Sequence, residues 1–193
     1  MNALISTLSP SATSMIRLDH THVLATFHQY RIDTPAATKR ALVNTTCLAL
    51  EIHAQLEEEI FYPAMRAVAT DAAVIDKSVP EHDEMRRLIA ELRSLEPRDP
   101  RYDACYMELM RSVLHHVADE ETVLLPQAER LIPEQLGELG ARMTRRRLAL
   151  AAPKAGQIVV NTLTAMPAKA LMMAIGVMLA GAYMMERGAR THR

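Results

Sequence analysis

The sequence predicts an all-α protein: an antiparallel up-and-down bundle of four helices, followed by a further helical segment at the C-terminal end. Three observations lead to this fold class. The composition is dominated by good helix formers such as Ala, Leu, Met, Glu and Arg, with only six glycines and no tryptophan. No long stretch alternates apolar and polar residues as a half-buried strand would. Short connections rich in helix breakers separate long apolar-periodic segments, which favours antiparallel neighbours.

The four bundle helices and a closing helix are expected over residues 14–31, 36–69, 79–95, 100–131 and 133–150. The stretch "DTPAAT" ends the first helix and opens the second. In it, Thr34 is the expected N-cap and Pro35 the first helical residue. Pro63 is expected to kink the second helix or to end its regular part, because proline cannot donate the interior hydrogen bond.

The third helix is expected to start at "SVPE", where Ser78 and Glu81 have the spacing of a capping box. Asp99 is the expected N-cap of the fourth helix, with Pro100 at its first position. Pro133 then opens the closing amphipathic helix. The short links between these elements support the up-and-down order.

The 193 residues fit one ordinary domain with an appendage. We divide the chain into a frayed leader (1–13), the bundle with its closing helix (14–150) and a Met/Ala-rich hydrophobic appendage (151–193). Residues 170–185 carry no charged side chain. This segment is slightly shorter than the roughly 20 residues that span a bilayer. Three alternatives stay open for 155–193: membrane attachment, contact with a second copy or another protein, and packing on the bundle.

The formal net charge is −1, so the composition implies no large basic face and excludes nucleic acid as an expected partner. Cys47 and Cys105 do not form a C-x-x-C motif, and the N-terminus lacks the features of a secretory signal. These features predict a cytoplasmic protein, and attachment to the inner face of the membrane through its C-terminal segment stays open as an alternative. Cys47 projects about 120° away from the metal-binding face described below, and Cys105 lies about three turns from His116, so neither is assigned to the site.

Each of the four bundle helices carries one histidine on its apolar face. They are His20, His53, His82 and His116. Glu57 and Glu120 follow two of these histidines by four residues, so they share the same faces. Glu58 and Glu121 project about 140° away from those histidines, and we expect them to be solvated. The chain thus offers six potential ligands to the inside of one bundle.

Any one of these histidines alone would most simply be a core residue satisfied by its neighbours. Burying six such groups without compensation would cost several kcal/mol for each ion. A metal is the simplest shared partner, and the donor types suit iron, manganese or zinc. Six ligands exceed the four of a closed zinc site and match two metals bridged by two carboxylates. The Glu-x-x-His motif of ferritin-like bundles and H-E-x-x-H are both absent from the sequence.

The segments "LDH", "HAQLEEEIFYP", "PEHDEMR" and "HHVADEETVLLP" together resemble the bacterial hemerythrin-like, HHE cation-binding family over roughly residues 15–150. The resemblance implies a hemerythrin bundle with two bridged non-haem iron ions. It assigns as ligands His20, His53, Glu57, His82, His116 and Glu120. Oxygen-carrying hemerythrins have a further histidine one turn after the residue matched by His82. Arg86 stands there in this chain, which argues against simple reversible oxygen storage.

A nitrogen-rich centre in an apolar pocket, with no obvious general acid, predicts a protein that binds, senses or handles O₂, nitric oxide or peroxide. Two alternatives remain. One is a peroxidase-like or nitric-oxide-scavenging enzyme at the same centre. The other is an iron sensor or donor that acts through a partner protein.

Overall fold

The computed structural model describes residues 9–69 and 72–166, and these residues form only helices and their connections. The helices are α1 (Ala12–Phe27), α2 (Ala36–Leu56), α3 (Tyr62–Arg66), α4 (Ala73–Ser94), α5 (Pro100–Asp119), α6 (Leu125–Leu131), α7 (Leu136–Ala151) and α8 (Ala155–Ala165). Two π-helical segments, Glu57–Phe61 and Glu120–Leu124, join α2 to α3 and α5 to α6. The bundle therefore consists of α1, α2–α3, α4 and α5–α6, and the predicted all-α fold class is confirmed.

Two helix starts follow local capping rules. The side chain of Ser11 caps α1 by accepting a hydrogen bond of 3.2 Å from the backbone N–H of Ser14. This helix therefore starts two residues earlier than predicted; residues 1–8 of the expected leader lie outside the described residues. Asp99 caps α5 as predicted, accepting from the N–H of Arg101 at 2.9 Å.

α2 begins at residue 36 as predicted, but its predicted cap is wrong, and so is the predicted start of α4. Pro35 occupies the cap position of α2 and no side chain caps that helix, so Thr34 does not have the expected role. α4 begins at Ala73, and Ser78 lies inside it, donating its hydroxyl to the carbonyl of Val74 at 2.8 Å. Pro80 sits in the helix interior, where sequence rules place a start. The extra turns bury Ile75, and this packing outweighs the hydrogen bond that the proline cannot make.

The core has two apolar clusters. One contains, among others, Val23, Leu50, Met85, Leu109 and Val113. The other contains, among others, Ile16, Leu56, Ile60, Ile75 and Leu124. Along each bundle helix the inward histidine falls between members of the two clusters. The fold therefore holds a polar layer between two apolar layers, each of whose large side chains contributes about 1.5–3 kcal/mol by burial.

The closing helix α7 packs against α1 and α2, and α8 packs against α2. At Gly140 the approach of α7 to the start of α1 is close, since a Cβ there would lie 2.0 Å from the carbonyl oxygen of Pro10. The part of the appendage in α8 thus packs on the bundle. Among the described residues, no helix combines the length and apolarity needed to cross a membrane. The uncharged segment 170–185 lies outside the described residues.

Candidate metal centre

The six predicted ligands meet in the polar layer between the two apolar clusters. They are His20, His53, Glu57, His82, His116 and Glu120. None of them is more than 4% exposed, and both glutamates are fully buried. Each of α1, α2, α4 and α5 supplies one histidine, and the two π segments supply the glutamates. The apolar residues Leu56, Ile60, Val113 and Leu124 are all buried in the adjoining clusters.

The two carboxylates lie at the centre of the histidines. Glu57 Oε2 is 3.2 Å from His53 Nε2, 3.4 Å from His82 Nε2 and 3.9 Å from His116 Nε2. Glu120 Oε2 is 3.3 Å from His20 Nε2 and 3.5 Å from His116 Nε2. All four imidazoles therefore turn the same nitrogen, Nε2, towards the carboxylates.

These donors form two overlapping groups that could each hold a metal ion. One group is His20, His53, Glu57 and Glu120, and the other is Glu57, His82 and His116. Within each group the ligand atoms lie within 4.8 Å of one another. Glu57 belongs to both groups, and Glu120 contacts a histidine of each. Each carboxylate therefore lies next to histidines of both groups.

The spacing of the donors fits a metal. Nitrogen and oxygen donors about 2.1 Å from one ion lie about 3 to 4 Å from each other, as the contacts of the two glutamates do. Four inward atoms lack a hydrogen-bond partner in the described part of the chain: His20 Nε2, His53 Nε2, Glu57 Oε1 and Glu120 Oε2. His53 Nε2 is near Glu57 Oε2, but their orientation is not that of a hydrogen bond. Unpartnered buried lone pairs of this kind suit cation binding.

A ring of carboxylates holds the outer nitrogens of the same histidines. Each Nδ1 contacts a carboxylate of a neighbouring helix or π segment: His20 contacts Glu121 (2.8 Å), His53 contacts Asp19 (3.3 Å), His82 contacts Glu58 (2.8 Å) and His116 contacts Glu81 (3.0 Å). The contacts run around the bundle and close on themselves. An Nδ1–H donated to a carboxylate fixes the imidazole with a free Nε2, as in metal-ligating histidines.

The expectation that Glu58 and Glu121 are solvated holds only in part, because their side chains are 27% and 39% exposed but each also contacts a histidine. Their direction, about 140° from the histidine of their own helix, points them at the histidine of the next helix instead. Asp19 is itself held by the guanidinium of Arg147, with Nη1 2.6 Å from Oδ1. Arg147, the last residue of the "RRR" stretch at 145–147, thus supports the carboxylate that contacts His53.

Arg86 occupies the position of the additional histidine of oxygen-carrying hemerythrins. Its Nη2 donates to both oxygens of Glu58, at 2.7 and 2.8 Å, and its Nη1 donates to Asp83 at 2.8 Å. Arg86 therefore supplies no ligand atom to the layer. It fixes the carboxylate that contacts His82.

The repeated H-x-x-x-E-E motif ends each time in a π-helical segment. Glu57 and Glu120 are the first residues of these segments. Their carbonyls accept hydrogen bonds from residues five positions later, Tyr62 and Leu125. A proline follows each segment directly after that residue, and the wider turn accommodates its missing N–H and its ring. Such segments occur frequently at functional sites.

Tyr62 belongs to the layer, although sequence reasoning missed it. Its hydroxyl lies 2.8 Å from Glu120 Oε1 and 3.1 Å from Glu57 Oε2. Its ring stacks on His82, with centroids 5.8 Å apart and planes inclined by 17°. A straight helix would place Tyr62 about 180° from His53, but the extra residue of the π segment turns it back by about 100°.

The buried charges stabilise one another. Burial opposes ionisation of Glu57, but His53, His116 and His82 hold the pKa of its carboxyl well below the ordinary value. Burial also opposes the charge on His116, yet Glu57 and Glu81 raise its pKa to about 10. Burial and both neighbouring carboxylates raise the pKa of the Tyr62 hydroxyl, which keeps it a hydrogen-bond donor. The layer thus favours positive charge next to its carboxylates.

The remaining candidates lie away from the layer. His22, His28 and His115 are exposed. Cys47 and Cys105 are free thiols buried in the first apolar cluster. Burial raises the pKa of Cys47 to about 12, so this thiol stays protonated.

A helical bundle with a buried layer of four histidines and two carboxylates defines a metal-binding helical domain. Residues 11–128 match the hemerythrin HHE cation binding domain family, and this chain belongs to that family. The predicted resemblance is therefore confirmed. Membership supports cation binding by the buried layer.

One solved structure with the same fold is a hemerythrin HHE cation binding domain-containing protein from Mycobacterium kansasii. The two chains are 18% identical with a TM-score of 0.65, over 80% of this chain and 99% of the other. A DNA nickase from Nostoc sp. (strain PCC 7120) is 26% identical over 110 residues. That match covers 57% of this chain but only 31% of the nickase, so it relates the shared segment and not the whole protein.

Proposed function

We propose that the protein is a non-haem di-iron protein that binds, senses or handles a small ligand: O₂, nitric oxide or peroxide. The observation that carries the proposal is the pair of overlapping donor groups that share Glu57. The two groups have different histidines, two imidazole nitrogens in each, and this arrangement fits two ions better than one. Bound iron would supply an open coordination position and the electrons for binding a small ligand.

The residues of the chain have distinct parts in this proposal. His20, His53, His82 and His116 would ligate through Nε2, while the carboxylate ring keeps their Nδ1 atoms protonated and their rings fixed. Glu57 and Glu120 would bridge the two ions. The apolar clusters on both sides exclude bulk water. Arg86 leaves the position of a further histidine without a protein ligand, so a small molecule has room to bind.

Loading the full-length protein with Fe(II) under anaerobic conditions and then adding each ligand tests the proposal. Binding of O₂ or nitric oxide predicts a stable new visible absorption band that saturates with the ligand. The matched variants are Glu120→Gln and Glu134→Gln, because Glu120 is buried in the layer and Glu134 is exposed outside the bundle core. The band should be lost or strongly altered only in Glu120→Gln. If the visible spectrum of the iron-loaded wild-type protein does not change on addition of O₂, nitric oxide or peroxide, the proposal is contradicted.

Tyr62 specifically favours the second candidate, an iron-dependent peroxidase-like or nitric-oxide-scavenging enzyme. A buried hydroxyl hydrogen-bonded to the two central carboxylates can hold a proton next to a bound ligand. Tyr62→Phe keeps the ring on His82 and removes only the hydroxyl. If the protein is an enzyme, added peroxide should disappear over many turnovers, and Tyr62→Phe should slow this loss while iron content stays unchanged. Equal rates of peroxide loss in the wild type and in Tyr62→Phe would show that the Tyr62 hydroxyl has no catalytic role.

The donor types also allow manganese or zinc. Competition between Fe(II), Mn(II) and Zn(II) for the metal-free protein, measured by metal analysis, tests the choice of iron. We expect iron to be retained against manganese, because nitrogen-rich sites bind manganese more weakly in the divalent series. Retention of manganese in preference to iron would overturn the assignment of iron.

A further inference from the structure

A cavity of about 190 Å³ lies beside the metal layer, bordered by residues of α1, α2, α7 and α8. Its walls are mostly apolar. The apolar lining consists of Leu48, Ala49, Ile52, Ala151 and Ile158. None of the six metal-layer residues lines it. Its size is below the roughly 300–1,000 Å³ typical of pockets for drug-sized molecules, so it suits a smaller ligand.

Two residues that line this cavity each carry a hydrogen-bond donor with no partner in the described ranges 9–69 and 72–166. These donors are Nδ2 of Asn161 and Nε of Arg147, and both atoms are buried. Asn161 is only 7% exposed, in a helix whose other faces are apolar or open to solvent. An unpaired buried donor costs about 1–3 kcal/mol, so two at one cavity require an explanation. A ligand that brings hydrogen-bond acceptors provides one.

The two donors differ from the other polar groups in the lining, of which His22 is exposed and Asp19 is paired with Arg147. The hydroxyls of Thr45 and Thr162 already donate to carbonyls of their own helices, at 2.9 and 2.8 Å. The terminal nitrogens of Arg147 are held by Asp19, which leaves Nε as the free N–H of a charged guanidinium. A charged donor and an amide donor match a carboxylate, whose oxygens accept from both. The apolar walls match a short hydrocarbon tail.

We propose that this cavity binds a short-chain monocarboxylate, with its carboxylate accepting from Arg147 Nε and Asn161 Nδ2 and its tail lying against Leu48, Ile52 and Ile158. The site is separate from the metal layer and does not depend on the proposed di-iron function. It contacts that layer at one point. Asp19 lines the cavity, binds Arg147 and contacts Nδ1 of His53, so the ligand would lie next to a group that orients a metal-layer histidine.

Isothermal titration calorimetry of the full-length protein with butyrate tests the proposal, with 1-butanol as the probe that keeps the tail and lacks the carboxylate. Butyrate should bind the wild-type protein with a stoichiometry near one, and 1-butanol should bind at least tenfold more weakly, since a charged hydrogen bond is lost. Asn161→Leu removes one donor, and Ala49→Leu fills the cavity. Each should weaken butyrate binding roughly tenfold or more. Gln157→Leu, the same type of change one turn earlier on α8 and outside the cavity, should not.

The folding of the same variants must be checked, because a misfolded variant would also lose butyrate binding. Asn161→Leu removes an unpaired buried amide, so its melting temperature without ligand should equal or exceed that of the wild type. Circular dichroism should show the wild-type helix content in all three variants. No measurable butyrate binding to the wild type would overturn the proposal. Wild-type affinity in both Asn161→Leu and Ala49→Leu would place the binding site elsewhere and would overturn it too.

Discussion

At the scale of single residues, each supporting carboxylate is the sequence neighbour of a metal-layer residue. The four pairs are Asp19 with His20, Glu58 with Glu57, Glu81 with His82, and Glu121 with Glu120. Consecutive helical residues project about 100° apart, so the supporting carboxylate faces the next helix while its sequence neighbour faces the centre of the bundle. Short dipeptides thus encode both a candidate ligand and a group that contacts the candidate ligand of a neighbouring helix.

Glu58 and Glu59 provide a matched test of this ring. Glu58 contacts His82 Nδ1 inside the bundle, whereas Glu59 bonds Arg146 and Gln55 at the surface. Glu58→Gln should lower iron affinity about 10- to 100-fold, because the amide no longer fixes the protonated Nδ1 of His82 as a carboxylate does. Glu59→Gln should leave the affinity unchanged. Equal affinities in the two variants, measured by competition with a chelator, would show that the ring does not tune the metal site.

A second buried charge lies in the apolar cluster that contains Tyr30 and Cys47. Lys39 Nζ is 2.6 and 2.9 Å from the two carboxylate oxygens of Asp103, and the Tyr30 hydroxyl also donates to Asp103. Burial opposes the charge on Asp103, but Lys39 and Tyr30 lower its pKa below the ordinary value. Asp103→Asn should therefore destabilise the protein at pH 7 by about 2 kcal/mol, because Lys39 loses its counter-charge.

The sign of the pH effect follows from the lowered pKa. The stabilisation by Asp103 is fully present above the unfolded-state pKa of about 3.9, and it is lost as the pH falls through the lower folded-state pKa. The stability difference between wild type and Asp103→Asn should thus be constant near neutrality and shrink below about pH 4. Urea unfolding at several pH values measures it. Asp33→Asn, at an exposed aspartate, is the control, and a difference that grows in acid would contradict the account.

Helical projection was sufficient to find the six metal-layer residues, because a spacing of four residues keeps a side chain on one face regardless of the rest of the fold. The same projection could not find Tyr62, since the π segment shifts the phase of the helix beyond Glu57. It also misread Glu58 and Glu121, whose partners lie on other helices. Contacts between helices depend on their order around the bundle, which one helix alone does not reveal.

At the scale of elements, proline marks different structures in different places. Pro100 begins a helix as predicted, whereas Pro63 follows a π segment and Pro80 lies inside α4. The local rule holds where a side-chain cap precedes the proline, as Asp99 does. It fails where burial of the preceding turn, including Ile75, stabilises a longer helix. Helix existence was therefore predictable, and the start of α4 was not.

The contact between the closing helix α7 and the start of α1 offers a second matched test. Gly140→Ala should destabilise the protein by about 1–3 kcal/mol, because the new Cβ would clash with the backbone of Pro10 and Ser11. Gly137→Ala, three residues earlier, should stabilise it by about 0.5 kcal/mol, since no atom of the described chain lies within 4 Å of that Cβ. Thermal unfolding of both variants measures this. Similar effects in the two would contradict a close approach at Gly140.

At the scale of the whole molecule, two apolar clusters enclose one polar layer that is costly to bury without a cation. The apolar clusters account for the bundle, and its helical fold class was predictable from composition and periodicity. The layer brings together six ligand-type side chains that could hold a cation, and the sequence alone indicated it because these side chains faced inward together. The packing of α8 on α2 was one of three alternatives that the sequence left open.

The most direct test of the central claim is the iron content of the full-length protein after anaerobic reconstitution, by metal analysis against protein concentration. The account predicts about two iron ions per chain in the wild type and in Glu59→Ala, and fewer than two in Glu57→Ala, which lacks the shared carboxylate. Circular dichroism confirms that Glu57→Ala remains folded. A wild-type protein that binds no iron or a single ion, or a Glu57→Ala variant that retains both, would contradict the account.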